Sequence, residues 1–420
     1  MPARWVPLLY FAFAHFCLAA AFAELAFQPR SLAGFFYHPR MLAVVHLVTL
    51  GWISASILGA IYVIGPLAFR MPLPARLPDY VAFAGFAIGA LGMVSHFWMD
   101  IPAGMAWAAG LVACAMSYVA LRALGGLALA PVPLEARLPM ALAFMNVIAA
   151  AALGVLVAVD KVTPVLTVNH LEGVFAHAHL AALGWGTMMV MGAGYRILPM
   201  ILPAAMPLGP SVYASALLLE GGALGLFWGF FHGGRGLAVS AALAVAGIGT
   251  FLSRVAWMLR NRRPAPTELR RPDWSVAHAI QALACLIAAC AMGLYLAVAE
   301  RSETTLDLAL AYGVLGLVGF LSQIIVGVFG RVLPLFAWLW GFSDRAHAES
   351  PPALHGAPVH SLQGAAFALW TAGVPLLALG LAFDRTALVS SGAAALLAGV
   401  CAGFVNAAVV LRRLWRRSSP

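Results

Sequence analysis

The residues best suited to chemistry in this sequence are histidines within long apolar stretches. His177 and His179 form a His-Ala-His triplet, and His46 lies in another apolar stretch. A helix turns about 100° per residue, so the two rings of the triplet point about 200° apart and cannot easily chelate one metal ion. The spacing favours two sites on opposite helix faces, or a ligand on one face and a hydrogen-bonding group on the other. Neutral imidazole is the usual axial ligand of haem b. Pairing His46 with His177 or His179 would therefore give a low-spin bis-histidine haem.

Other ionisable residues also lie within the apolar stretches. His96 and His232, near the ends of such stretches, are either metal ligands or interfacial polar residues. Ionisable groups in a membrane are costly unless they face the protein interior or bind something. Glu220 is a candidate for a proton path, or else a protonated acid bonded to a neighbouring helix, and Glu24 is interpreted in the second way. The isolated and loop histidines are assigned no site: His15, His278, His347, His355 and His360.

The composition requires membrane helices to position these residues. The 420 residues are 63% hydrophobic and 9% charged, with a mean hydropathy of +0.94, whereas soluble domains are about a quarter charged. This excludes a soluble globular fold. A span takes about 20 apolar residues, so the chain holds about twelve spans and little else. The five cysteines lack the spacing of covalent haem or thiolate zinc sites and are interpreted as small core residues: Cys17, Cys114, Cys285, Cys290 and Cys401.

Loop charges and clusters of Pro and Gly divide this all-α polytopic chain into its spans. The predicted spans lie near 5–27, 40–69, 79–99, 103–129, 137–159, 174–202, 211–232, 236–260, 274–299, 306–340, 362–383 and 386–411. A cytoplasmic N-terminus places most of the 24 basic residues inside, as the positive-inside rule expects. Both termini are then cytoplasmic, and the net charge of +9 orients the protein rather than binding nucleic acid. The candidate histidines lie toward the external side.

An internal repeat relates three of the spans. Residues 46–66 and 179–199 match at 10 of 21 positions, and residues 314–334 match the second segment at six of 21 but lack its histidine. The repeat unit is four helices, which predicts a pseudo-threefold arrangement of units near 1–130, 131–260 and 261–420. Tyr62 and Tyr195 occupy equivalent positions and are interpreted as interfacial anchors. Arg196 and Arg331 are interpreted as snorkelling helix ends, with the binding of an anionic group as the alternative.

The triplet-bearing segment resembles a known helix. Residues 177–199, HAHLAALGWGTMMVMGAGYRILP, resemble the helix of the cbb3-type haem-copper oxidase catalytic subunit (subunit I) that supplies axial histidines to two haems. The His-x-His pair and the downstream Leu-Gly-Trp, Gly, Tyr and Pro match in spacing. Residues 46–66 are similar to the copper-ligand helix of that subunit, and that superfamily also has twelve helices in a pseudo-threefold arrangement. The resemblance implies that His177 and His179 ligate haem, and that His46 ligates either copper or a second haem.

The sequence also departs from the oxygen reductases of that superfamily. Their copper centre needs three histidines, two of them adjacent, and this chain has no His-His pair. It looks more like stand-alone relatives of the catalytic subunit, such as the NnrS-like haem- and copper-containing proteins linked to nitric-oxide stress. The resemblance therefore implies an incomplete oxygen reductase at most.

The favoured hypothesis is a haem b protein of the bacterial inner membrane. It would handle electrons or a diatomic gas such as nitric oxide, with a periplasmic electron donor or other respiratory subunits as partners. Such a protein is a candidate oxidoreductase. The alternatives are copper or haem handling, including oxidase assembly, and small-molecule transport. No quinone site is recognisable in the sequence.

Overall fold

The computed structural model describes residues 3–32, 36–166, 169–234, 236–264, 269–300, 302–342 and 356–415, and these are helical without any strand. His347 and His355 lie outside the described residues. Twelve of the described helices are long and apolar enough to cross a membrane. They are α1 (Trp5–Phe27), α2 (Pro39–Ala68), α3 (Leu77–Met99), α4 (Pro102–Ala128), α5 (Leu134–Asp160), α6 (His170–Ile201), α7 (Pro210–His232), α8 (Gly236–Arg260), α9 (Trp274–Val298), α10 (Glu303–Phe342), α11 (His360–Ala382) and α12 (Thr386–Leu414). The prediction of an all-α, multi-pass membrane chain is confirmed.

The chain divides into two compact units. The first unit comprises Met1–Phe11, Ser54–Ala265 and Gly293–Glu300, and the second comprises Ala12–Ile53, Pro266–Met292 and Arg301–Pro420. His177 and His179 therefore belong to the first unit, and His46 to the second.

Very short turns join three pairs of helices into antiparallel hairpins. Asp100, with φ 54°, ends α3, and Asp384, with φ 47°, lies between α11 and α12. Gly233 and Gly234, with φ 67° and 82°, directly follow the end of α7. Left-handed residues of this kind reverse the chain within a few positions. The hairpins α3–α4, α7–α8 and α11–α12 therefore recur every four helices, at the interval of the sequence repeat.

Glycines bring the helices of these hairpins into backbone contact. A Cβ added at Gly247 of α8 would lie 2.5 Å from the backbone nitrogen of Leu219 in α7. In the second unit, one added at Gly380 of α11 would lie 2.6 Å from the backbone nitrogen of Val389. Such close approach is how membrane helices gain packing energy where lipid supplies no hydrophobic drive.

Three of the twelve long helices each contain a π-helical stretch. The stretches are Leu47–Ser54 in α2, Leu180–Thr187 in α6 and Val314–Ser322 in α10. The first two begin directly after His46 and His179, and the third covers the corresponding part of the third repeat segment. π-helix makes up well under 1% of residues in ordinary proteins and is frequent at functional sites. The sequence repeat thus has a structural counterpart in an uncommon backbone form.

Candidate functional site

The His-Ala-His triplet of α6 presents its two rings to different neighbouring helices. Nδ1 of His177 lies 3.0 Å from the carbonyl oxygen of Ala150 in α5. A Cβ added at Gly154, one turn further along α5, would lie 2.8 Å from Cε1 of His177, so glycine makes room for the ring. The His179 ring centroid lies 4.9 Å from that of Phe230 in α7. The opposed orientation expected from the two-residue spacing is thus present.

All five candidate histidines hold Nδ1 against a backbone carbonyl. The Nδ1–oxygen distances are 2.7 Å for His46 to Leu42, 2.6 Å for His96 to Gly92, 3.0 Å for His177 to Ala150, 2.9 Å for His179 to Phe175 and 3.0 Å for His232 to Trp228. A carbonyl oxygen only accepts, so in the neutral ring Nδ1 carries the proton and donates, and Nε2 carries the lone pair. Metal-bound histidines in proteins show this arrangement, in which the hydrogen bond fixes the tautomer and the ring orientation.

Local packing engages the rings of His96 and His232 as well as those of His177 and His179. A Cβ added at Gly104 of α4 would lie 2.1 Å from Nε2 of His96, so that nitrogen faces the α4 backbone. The exposed His232 stacks on Trp228, with ring centroids 3.8 Å apart and an interplanar angle of 14°. Nε2 of His177 likewise lies near the α5 backbone, 3.5 Å from a Cβ added at Gly154. Within the described ranges, no three His, Cys, Asp or Glu side chains converge to hold a metal ion.

The start of α6 is fixed by an anchored loop. Nδ1 of His170 lies 2.7 Å from Asp160 Oδ2, and Asp160 Oδ1 accepts hydrogen bonds from the backbone nitrogens of Val165 and Leu166 at 2.9 and 2.8 Å. Burial lowers the pKa of the adjacent Lys161, an effect that Asp100 opposes. These contacts connect the end of α5 to the helix that carries the triplet.

Glu220 of α7 takes part in a hydrogen-bonded chain that reaches α6. Its Oε2 accepts a 2.7 Å hydrogen bond from Nδ2 of Asn146 in α5. The same amide nitrogen donates to the carbonyl oxygen of Gly184, in the π-helical stretch, at 3.2 Å. The half-buried carboxyl group thus has a partner on a neighbouring helix, as one of its two interpretations expected.

The interpretation of Tyr62 and Tyr195 as interfacial anchors is wrong. Both side chains are fully buried. Tyr62 donates a 2.7 Å hydrogen bond to Asp79 Oδ1, and Asp79 also forms an ion pair with Arg122. Tyr195 lies 2.7 Å from Ser215 Oγ and donates to it, because that hydroxyl itself donates to a backbone carbonyl. The tyrosines satisfy polar groups at the starts of α3 and α7.

The two arginines interpreted as snorkelling ends have protein partners, and that of Arg331 is anionic, as the alternative interpretation expected. Nε of Arg196 donates a 2.8 Å hydrogen bond to the carbonyl oxygen of Ala68. Arg331 pairs with Asp273, just before α9. Each guanidinium group therefore fixes a helix end through a contact within its own unit.

Sequence reasoning missed a cavity in the second unit. It is lined by parts of α1, α2 and α9–α12 and has a volume of about 60 Å³. His15 and His278, both assigned no site, line it together with Trp52, Trp274 and Trp370. Trp52, Trp274 and Trp370 are separated from one another by more than 90 positions, so no local sequence pattern groups them. No protein family model matches the chain, and no curated protein shows significant similarity to it.

Proposed function

We propose that the protein binds haem b within the membrane through imidazoles drawn from His46, His177 and His179. The observation that carries this proposal is the shared tautomer, because Nδ1 of each ring is bonded to a backbone carbonyl. Nε2 is then the ligating nitrogen, and the neutral imidazole suits an apolar helical interior. The donor set fits haem b, which would supply reversible one-electron chemistry and an iron position able to bind a diatomic gas.

The residues around the triplet would hold and orient this group. Ala150 and Phe175 fix the two rings through their carbonyl oxygens. The π-helical stretches begin directly after His46 and His179. Glu220, connected to the α6 stretch through Asn146, is the group placed to hold a proton near α6.

The proposed setting is the bacterial inner membrane, with both termini in the cytoplasm and the helices in a pseudo-threefold arrangement. The recurrence of the π-helical stretches and of the hairpins every four helices supports that arrangement. The histidines then face the external side, where a periplasmic electron donor or another respiratory subunit would exchange electrons. The absence of a His-His pair from the sequence favours electron transfer or nitric-oxide handling over oxygen reduction.

Visible spectroscopy of the purified protein tests the proposal. The protein is purified in detergent without added haem or metal, and oxidised and dithionite-reduced spectra are recorded. We expect a Soret band with sharp reduced α and β bands, and loss of most of this absorbance in His177→Ala and His179→Ala. The spectrum of His46→Ala shows whether His46 is also a haem ligand.

The matched control is the exposed His38, whose Nδ1 accepts a 3.3 Å hydrogen bond from the backbone nitrogen of Arg40. His38→Ala should leave the spectrum unchanged. A colourless wild-type protein would contradict haem binding. Stoichiometric copper removed by chelators, without haem, would favour metal handling or oxidase assembly instead.

A further inference from the structure

A residue with a hydroxyl side chain ends each of the three π-helical stretches. Ser54, Thr187 and Ser322 are the last residues of the stretches in α2, α6 and α10. They occupy the same position, the ninth, of the three repeat segments. All three are buried, with 4% or less of each exposed. Because a buried hydroxyl group is costly without a hydrogen bond, its recurrence indicates a bond that belongs to the π-helical form.

Two of these hydroxyl groups bond a carbonyl oxygen five residues back. Oγ1 of Thr187 donates to the carbonyl oxygen of Ala182 at 2.9 Å, and Oγ of Ser322 donates to that of Leu317 at 2.7 Å. In an α-helix, Ser and Thr side chains bond the carbonyl three or four residues back. A reach of five residues matches the i→i+5 spacing of a π-helix. Each hydroxyl group therefore spans one π turn.

The backbone keeps the same spacing at the residue that follows each hydroxyl. The backbone nitrogen of Met188 donates to the carbonyl oxygen of Leu183, and that of Gln323 donates to Val318. Both bonds again reach five residues back. The side-chain bond and the last backbone bond of the π-helical register thus lie side by side in α6 and in α10.

In α6 this bond lies in the stretch that follows the His-Ala-His triplet. The stretch Leu180–Thr187 begins directly after His179, whose Nδ1 is bonded to the carbonyl oxygen of Phe175 in the preceding α turn. A π turn holds more residues than an α turn, so conversion of the stretch to α-helix would rotate the triplet about the helix axis relative to the rest of α6. Ser54 has a different partner, since it accepts a 3.2 Å hydrogen bond from Nε1 of Trp185.

We propose that Thr187 is a positioning residue, whose hydroxyl group holds the α6 stretch in its π-helical form and thereby sets the directions of the His177 and His179 rings. Ser322 holds the backbone of α10 in the same way, in the repeat segment that lacks the histidine. The consequence for a bound haem rests on the proposed function, whereas the effect on the backbone does not. The two are therefore tested separately.

Amide hydrogen exchange of the purified protein in detergent, measured by mass spectrometry, tests the effect on the backbone. Thr187→Val keeps the branched shape but removes the hydroxyl group. It should speed the exchange of residues 180–187 about 3- to 10-fold, because one hydrogen bond is worth about that factor in local opening. Thr187→Ser keeps a hydroxyl group and should restore most of the protection. Unchanged exchange of residues 180–187 in Thr187→Val would overturn the proposal.

Two further variants control this experiment. Thr250 of α8 donates to the carbonyl oxygen of Ala246, four residues back, at 2.8 Å, so Thr250→Val removes an ordinary α-helical bond and should leave residues 180–187 unchanged. Ser322→Ala should speed the exchange of residues 314–322 about as much as Thr187→Val does in α6. It keeps the proposal testable if Thr187→Val does not fold, and unchanged exchange of residues 314–322 would overturn the shared role of the hydroxyl groups.

Electron paramagnetic resonance of the oxidised protein tests the effect on the rings. The low-spin ferric haem signal depends on the orientation of the axial imidazoles. Thr187→Val should retain haem but shift this signal, whereas Thr187→Ser and Ser322→Ala should keep the wild-type signal. A wild-type signal in Thr187→Val, together with faster exchange, would overturn the positioning role. A wild-type protein without haem would instead contradict the proposed function, and the exchange comparison would still decide whether the hydroxyl group holds the π-helical form.

Discussion

The two compact units differ in how they treat buried polar groups. The first unit pairs them: Asp79 with Tyr62 and Arg122, and Glu220 with Asn146. Among the described residues, nine buried side-chain nitrogen or oxygen atoms have no hydrogen-bond partner. Two lie in the first unit, on Tyr10 and Arg137, and seven in the second: Glu24, Trp52, Trp274, Gln323, Arg331, Trp370 and Thr371.

This difference shows that repeat segments with similar sequences can lie in different polar surroundings. The repeat segments of α2, α6 and α10 share glycines and a π-helical stretch, yet most of the buried polar atoms without a partner lie in the second unit. Unpaired buried polar atoms are rare in proteins and call for an explanation such as a bound group. The second unit, which holds seven of the nine such atoms among the described residues, is where that explanation is most needed.

The largest expected effect comes from breaking the buried carboxylate pair of the first unit. Asp79 is fully buried and accepts hydrogen bonds from Tyr62 and from the backbone nitrogen of Arg76, at 2.7 and 2.6 Å, besides its pair with Arg122. Asp79→Asn should lower the free energy of unfolding by about 3 kcal/mol, because it leaves Arg122 without its counter-charge. Unfolding in detergent, followed by circular dichroism, measures the change.

The matched variant in the second unit is Asp273→Asn. Its pair with Arg331 is partly exposed, with 28% and 21% of the two side chains accessible. Exposed pairs are worth about 0–1 kcal/mol, so this variant should unfold nearly like the wild type. Equal losses in the two variants would remove the contrast between the units.

Sequence reasoning predicted the spans well and the polar interior poorly. The span near 5–27 matches α1, and that near 306–340 falls within α10 (Glu303–Phe342), because apolar length is a local property. Asp79 was not singled out, since its partners Tyr62 and Arg122 lie 17 and 43 positions away. His15 and His278 were set aside as isolated, although packing places both on one cavity. Local spacing predicted the opposed rings of His177 and His179, whereas only the fold groups distant side chains.

A second contrast concerns added volume. Gly247→Ala should lower the free energy of unfolding by about 1–3 kcal/mol, because the new Cβ would lie 2.5 Å from the backbone nitrogen of Leu219. On the same helix, Gly249 has nothing within 4 Å of an added Cβ, so Gly249→Ala is the control and should be neutral or stabilising. The bulkier change Ala366→Leu, into the cavity, should cost less than Gly247→Ala. The same unfolding assay ranks the three, and a larger loss from Ala366→Leu would show that the cavity has no spare room.

The smallest expected effect separates a paired indole from an unpaired one. Trp185→Phe removes the hydrogen bond from Nε1 to Ser54 Oγ and leaves that buried hydroxyl without its donor. Trp370→Phe removes an Nε1 that has no partner. Both variants lose similar ring volume from buried positions. The difference between their free energies of unfolding therefore reports on the hydrogen bond alone. Trp185→Phe should be the less stable variant by about 1 kcal/mol. Equal stability of the two variants would contradict this contrast, and the second unit would then differ from the first only in packing.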